Sequence, residues 1–157
     1  MNRNNKIVIF LIIIIGFVVP FIPSLTVIEM FFLLIPFAVI YLLTLIYLII
    51  SLLNKNLNTQ NSLFLFSILP IFIISQLTSC FIVDKIQRLR SNYIITEIEK
   101  LKSETGILPE KYDLIAGIEY IKMKDIEHFV IKYSSGFMVT KKYNSENKNW
   151  RSYGWND

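Results

Sequence analysis

The chain has 157 residues, 54% of them hydrophobic and 18% charged, with a formal net charge of +4. Of its 16 lysines and arginines and 12 acids, only Arg3, Lys6, Lys55 and Glu29 precede residue 84, which leaves 13 cations and 11 anions interspersed through residues 84–157. That mixture excludes a nucleic-acid footprint, which needs clustered cations that release counterions, and the apolar half has too few polar groups to solvate a globule.

The first half divides into three stretches suited to a bilayer. The first runs from Ile7 to about Ile22, or about 24 Å of helix at 1.5 Å per residue. Extended through Pro23 and Leu25 to about residue 28, it matches the roughly 30 Å of hydrocarbon, with Pro20 and Pro23 bending or ending it near the interface. Met1 to Lys6 is basic, but no small-x-small site follows the apolar run, so the segment reads as an uncleaved helix. The second stretch is Met30 to Leu53 (residues 30–53), with Pro36 near its start. The third, Leu63 to Val83 (residues 63–83), contains Pro70 and the polar residues Ser67, Ser75, Gln76, Thr78 and Ser79, which need hydrogen-bond partners inside a bundle or at headgroup level. Three such stretches with almost no charge between them are not three cores of a small soluble chain.

Orientation follows from loop cations. Arg3 and Lys6 precede the first span, Lys55 lies in the loop on the same side, and Ser24 to Glu29 carries no cation. The amino terminus is therefore expected in the cytoplasm and residues 84–157 outside it. Lys85, Arg88, Arg90, Lys100 and Lys102 argue the other way by simple count, but long tails translocate largely regardless of charge. The first three of these read as juxtamembrane residues near lipid phosphates.

Beyond Val83 the pattern continues as helix, with Ile86, Leu89, Tyr93, Ile94, Ile98 and Leu101 forming an apolar face. Gly106 stops the helix and Pro109 follows it. Strands are expected at Gly117 to Met123, His128 to Ser134 and Phe137 to Tyr143, with Ser135-Gly136 as a two-residue hairpin turn. A polar turn follows at Asn144 to Asn149, and a short last strand at Trp150 to Trp155. The fold class is thus a membrane α-helical region, residues 1–83 with three transmembrane helices, followed by a small α+β domain, residues 84–157. In that domain a long helix packs on a three- to four-stranded antiparallel sheet, which would be marginal alone.

The segments Ile98-Glu99-Lys100-Leu101-Lys102, Gly106-Ile107-Leu108-Pro109 and Tyr112-Asp113-Leu114-Ile115, with the strand pair ending in Tyr143-Asn144-Ser145 and Trp150, carry a resemblance. Residues 84–157 resemble the soluble part of type IV pilins and type II secretion pseudopilins, where a membrane helix continues into an amphipathic half followed by a small antiparallel sheet. The family's processing site, a Gly before the apolar helix with Glu at the fifth mature position, is missing: Asn58-Thr59-Gln60-Asn61-Ser62-Leu63 stands before the third stretch. Gly16-Phe17 lies inside the first, with Phe21 at the fifth place. The resemblance therefore implies a soluble module on a membrane stalk and does not carry over peptidase processing or filament assembly.

Few residues point to chemistry. Cys80 is the single cysteine and forms no intrachain disulfide or cysteine zinc cluster. Leu77-Thr78-Ser79-Cys80 matches a bacterial lipobox, making Cys80 a candidate lipidation site, though its position after two other spans favours a packed thiol. His128, the only histidine, has no companion ligands at metal spacing. No catalytic triad, phosphate-cradling glycine loop or intramembrane cluster of acids and histidines is present, so neither an enzyme nor a cofactor is expected. The aromatic residues Tyr133, Tyr143, Trp150, Tyr153 and Trp155 fill a small core or, for Tyr143, Trp150, Tyr153 and Trp155, form a partner-binding patch. The expected protein is a non-catalytic, multi-pass protein of the bacterial cytoplasmic (inner) membrane. Its partners are the lipid bilayer and another membrane or envelope protein or envelope component, bound through the outer domain, with no nucleic acid. The alternatives are an immunity-type protein that guards a membrane against a toxin and a small transporter subunit.

Overall fold

The computed structural model describes residues 3–54, 57–112, 117–123 and 128–154. Met1, Lys55, Asp113, Leu114, Ile115 and Trp155, all used above, lie outside the described residues. The chain divides into two compact units, Met1–Ser79 and Cys80–Asp157, a boundary about one helical turn before the one that composition suggests.

In the first unit, prolines decide where helices stop. Helix α1 (Arg3–Val18) gives way to a 3-10 turn, Val19–Phe21, that contains Pro20. Ile22, with φ −108° and ψ 102°, is extended, as a residue before proline is forced to be. Pro23 then opens α2 (Pro23–Val27) at its first position, where its missing N–H costs nothing. Residues 23–28, read above as an extension of the first span, therefore begin the second helical run. The Thr26 hydroxyl lies 3.2 Å from each of the Val19 and Ile22 carbonyls, a second donor to oxygens that already accept from the Ile22 and Thr26 amides.

A wide π turn, Ile28–Leu33, leads into α3 (Leu34–Leu53). Pro36 explains it, because its ring crowds the carbonyl four residues back and a widened turn relieves that crowding. Helix α4 (Thr59–Thr105) takes Pro70 without ending. Three helical runs, Arg3–Phe21, Pro23–Leu53 and Thr59–Thr105, are long and apolar enough to cross a membrane.

The interior of this unit is made of small and polar residues. Thr26, Ser51, Ser62, Ser75, Gln76 and Ser79 are buried, whereas large apolar side chains such as Phe10, Phe32 and Leu53 are exposed at 63%, 70% and 81%. Small residues allow close approach of helices. A methyl group on Gly16 would overlap the Ser75 side chain and come within 3.0 Å of the Phe72 carbonyl. The Ser79 hydroxyl donates to the Phe17 carbonyl at 2.8 Å, and the Ser51 and Ser62 hydroxyls meet at 2.5 Å. Thr78, which is exposed, returns its hydroxyl to its own helix at the Ile74 carbonyl, 2.7 Å away.

In the second unit, residues from Cys80 to the end of α4 lie under a four-stranded antiparallel sheet. Its strands β1 (Ile118–Lys122), β2 (Phe129–Gly136), β3 (Val139–Asn144) and β4 (Asn149–Tyr153) are neighbours in chain order. Gly106, at φ +73°, caps α4, and its N–H reaches the Lys102 carbonyl at 2.9 Å, as a left-handed C-cap does. Alternation places Ile118, Phe129, Ile131, Tyr133 and Tyr143 in the core with Ile94, Ile95, Ile98 and Leu108.

Two details depart from the sequence reading. The helix turns Ile94, Ile95 and Ile98 inward, while Ile86, Leu89, Tyr93 and Leu101 are exposed. Polar contacts accompany this packing. Asp84 accepts a hydrogen bond from the Tyr133 hydroxyl at 3.0 Å, and the Arg88 guanidinium lies 3.9 Å from the centre of the Trp150 ring. The hairpin turn also sits two residues later than expected. β2 runs through Gly136, with a register shift between Ser134 and Gly136, and the turn residues are Phe137 and Met138 at φ +47° and +61°. The glycine relieves strain in the bulge instead of in the turn.

Candidate functional site

The sheet has one face on the helix and one face away from it, and the second carries an unusual row. Cross-strand pairing aligns Glu119 with Lys132, Lys132 with Lys142, and Lys142 with Arg151. One carboxylate thus stands beside three cations along a single line across four strands. Like charges directly opposite each other are unfavourable by roughly 0.2–1 kcal/mol per pair, and two such pairs occur here. Glu119 binds Lys132 at 2.7 Å, and the Lys142 ammonium lies 4.2 Å from the centre of the Tyr153 ring, a cation–π contact that partly offsets its crowding. Arg151 completes the row from the outermost strand. A shallow cavity of about 360 Å³ opens there, bounded by Ile121, Val130, Lys132, Lys142, Arg151 and Tyr153. Its chemistry is cationic with apolar flanks, suited to holding carboxylates or other anions beside apolar groups.

The aromatic candidates are divided between the two faces. Tyr143 is buried between Phe129 and Trp150, with ring centres 6.1 and 5.4 Å away. Trp150 also packs on Tyr133 at 5.5 Å and lies against Arg88. Both belong to the packing between sheet and helix. Tyr153 faces the other way and lines the basic cavity, and Trp155 lies outside the described residues. Cys80 is a partly buried free thiol within α4. His128 borders a different hollow with Glu99, Phe129 and Glu146. Among the described residues no three His, Cys, Asp or Glu side chains converge as a metal site.

Ionisation on the helix face follows its contacts. Burial, followed by the bond to Asp84, pushes the Tyr133 hydroxyl up to about 12. The bond to Glu97 raises Tyr112 to about 12, and bonds from Tyr112 and Tyr93 hold the Glu97 carboxyl below its usual range. These groups are structural: each serves a contact that closes the helix against the chain that follows it.

The basic row escapes a reading of the sequence because it depends on register. Period-2 alternation assigns Lys132 to the outer face beside inward Ile131 and Tyr133, but Lys142 and Arg151 join it only once the hairpin turn is placed at Phe137-Met138. The Glu29–Gln76 contact in the first unit escapes for a similar reason, since 47 residues separate the partners. No protein-family model, curated protein or solved structure matches this chain.

Proposed function

We propose that this is a multi-pass membrane protein of a bacterial cytoplasmic membrane, non-catalytic, whose second unit lies outside the cytoplasm and binds an acidic segment of another membrane or envelope protein. The inside-out first unit supports the membrane reading, with serines and a threonine buried and phenylalanines and leucines facing outward. Soluble monomers rarely present apolar patches above a few hundred Å², whereas lipid makes such a surface favourable. Arg3 and Lys6 before α1 support the cytoplasmic amino terminus. In the second unit, a glycine-capped helix followed by an antiparallel meander supports the pilin-like reading of that unit as a module on a stalk.

The observation that carries the binding role is the row Lys132, Lys142 and Arg151 on the face of the sheet away from the core. Folding gains nothing from two like-charge pairs, so a partner's carboxylates are the natural counter-charge. Apolar Ile121 and Val130 beside the row fit a polypeptide better than a bare polyanion. The test uses the full-length chain in cells, with a photo-activated cross-linking residue in place of Asn147 at the rim of the cavity. A discrete cross-linked protein partner is expected, lost in the Lys142→Glu, Arg151→Glu double variant and regained when acidic residues of that partner are reversed to lysine. Cross-linking that is indifferent to the charge reversal would reject the assignment.

A further inference from the structure

In the second unit, the side of α4 turned away from the sheet carries an apolar stripe that the core does not use. Ile82, Ile86, Leu89 and Tyr93 follow one another at intervals of four, three and four residues, and all are exposed, Leu89 at 70% and Tyr93 at 62%. At 3.6 residues per turn, Lys85 stands on one flank of the stripe and Arg90 on the other, and both are exposed. Between Lys85 and Thr96 the chain has three cations and no acid. The third cation, Arg88, is turned onto the Trp150 ring and belongs to the core side. Asp84, just before Lys85, accepts from the Tyr133 hydroxyl on that side too. Beyond the stripe the face becomes polar: the Tyr93 hydroxyl donates to Glu97 at 2.6 Å, and exposed Thr96 and Lys100 follow.

Charge decides what covers such a stripe. The four-three-four spacing is that of a coiled-coil seam, with Lys85 and Arg90 at the flanking positions that face each other between parallel helices. Two copies inserted in one membrane in the same sense bring their α4 helices together parallel, and Lys85 of each then stands against Arg90 of the other. A second copy is therefore repelled. A lipid surface with anionic headgroups answers both features at once. Its acyl region takes the apolar side chains, and its phosphates take two cations whose stems run along the stripe. Phe81, exposed directly before the stripe, has the Lys85 ammonium 5.6 Å from its ring centre and joins the stripe to the apolar run that precedes it.

We propose that residues 82–93 of α4 rest in the anionic headgroup layer of the leaflet from which the helix emerges. Ile82, Ile86 and Leu89 face the acyl chains, Tyr93 lies at the outer edge as interfacial tyrosines do, and Lys85 and Arg90 bind lipid phosphates. From Ile82 to Tyr93 the helix advances about 16 Å, well beyond the roughly 5–8 Å of one headgroup layer, so this part of α4 lies inclined to the membrane normal. The second unit is then held at the lipid surface by its helix, and the basic row on the other side of the sheet is left to its partner. The inference rests on the membrane reading above, and its test separates the two.

Full-length protein carrying Cys80→Ser and Leu89→Cys is labelled with bimane at the new thiol. It is placed in nanodiscs of phosphatidylcholine, with or without phosphatidylglycerol, that contain a lipid spin-labelled at its headgroup, while retention of the chain in the membrane pellet of cells is scored independently. Quenching of the bimane should be about twofold or more stronger with phosphatidylglycerol, and high salt should remove the difference. Lys85→Glu with Arg90→Glu should abolish it, whereas Lys85→Arg with Arg90→Lys should keep it, and tryptophan-monitored melting verifies that the second unit is folded in each. Equal quenching in the two lipids, or an effect of phosphatidylglycerol that survives charge reversal in a folded chain, would overturn the lipid contact. Disulfide-linked dimers of the unlabelled Leu89→Cys chain would overturn it as well, since a second copy would then cover the stripe. A chain that stays in the pellet while giving any of these results loses the lipid contact and keeps the membrane reading; a chain absent from the pellet loses both.

Discussion

At the scale of single residues, the second unit is joined by polar contacts placed at the edges of an apolar core. Tyr133 is 2% exposed and gives its hydroxyl proton to Asp84. A hydrogen bond to a charged group contributes roughly 1.5–3 kcal/mol, so Tyr133→Phe should lower the stability of this unit by about that amount. Both tryptophans of the chain, Trp150 and Trp155, lie in this unit, and their fluorescence reports its unfolding within the intact protein. The same tyrosine gives an alkaline dependence of defined sign. Its pKa in the folded state, pushed up to about 12, lies above the ordinary tyrosine value of 10.0. The folded state therefore holds the proton more tightly than the unfolded chain does. That contribution is complete below pH 10 and is lost as pH rises toward 12, and Tyr112 adds to it in the same direction. Melting temperatures followed by tryptophan fluorescence should fall across that window in the native protein and fall less in Tyr133→Phe. An equal slope in both would show that the Asp84 contact is not made.

At the scale of elements, what the sequence discloses depends on how local the determinant is. The Gly106 cap, the four strands in meander order and the break at Pro20 and Pro23 are all legible, because each is fixed by a few adjacent residues. The rotation of α4 is not. Ile86, Leu89 and Tyr93 have helical spacing as good as that of Ile94 and Ile98, and the second face is selected by long-range contacts, the packing of Ile94, Ile95 and Ile98 on the sheet with those of Asp84 and Arg88. The turn misleads for a related reason. Ser135-Gly136 has turn chemistry, yet the structure uses that glycine in a bulge and places Phe137 and Met138 in left-handed conformations. Each such residue costs of order 1–2 kcal/mol. Replacing the pair by Asn-Gly, the residues that a two-residue hairpin with both central φ positive prefers, should stabilise the unit by roughly 1–2 kcal/mol. For a domain of this size that raises the tryptophan-monitored melting temperature by about 5 °C or more. A drop instead would mean that the two side chains contribute more through packing than their backbone strain costs.

At the scale of the whole molecule, two opposite designs share one helix. In the first unit small polar residues face inward and large apolar ones outward; in the second the order is reversed. Helix α4 belongs to both, and its sequence changes character near Val83, where the lone cations of the first half give way to Asp84, Lys85, Arg88 and Arg90. If the first unit is immersed in lipid with its amino terminus in the cytoplasm, three crossings oblige the second unit to emerge on the other side. The chain has a single cysteine, which makes this simple to test. In a Cys80→Ser background, a cysteine placed at Asn147, in the exposed turn between β3 and β4, should react in intact cells with a maleimide that cannot cross membranes. One placed at Asn4, exposed at the start of α1, should react only after the cells are opened. The reverse pattern would invert the protein and turn the basic row toward the cytoplasm. Reaction at both positions in intact cells would exclude an odd number of crossings between them.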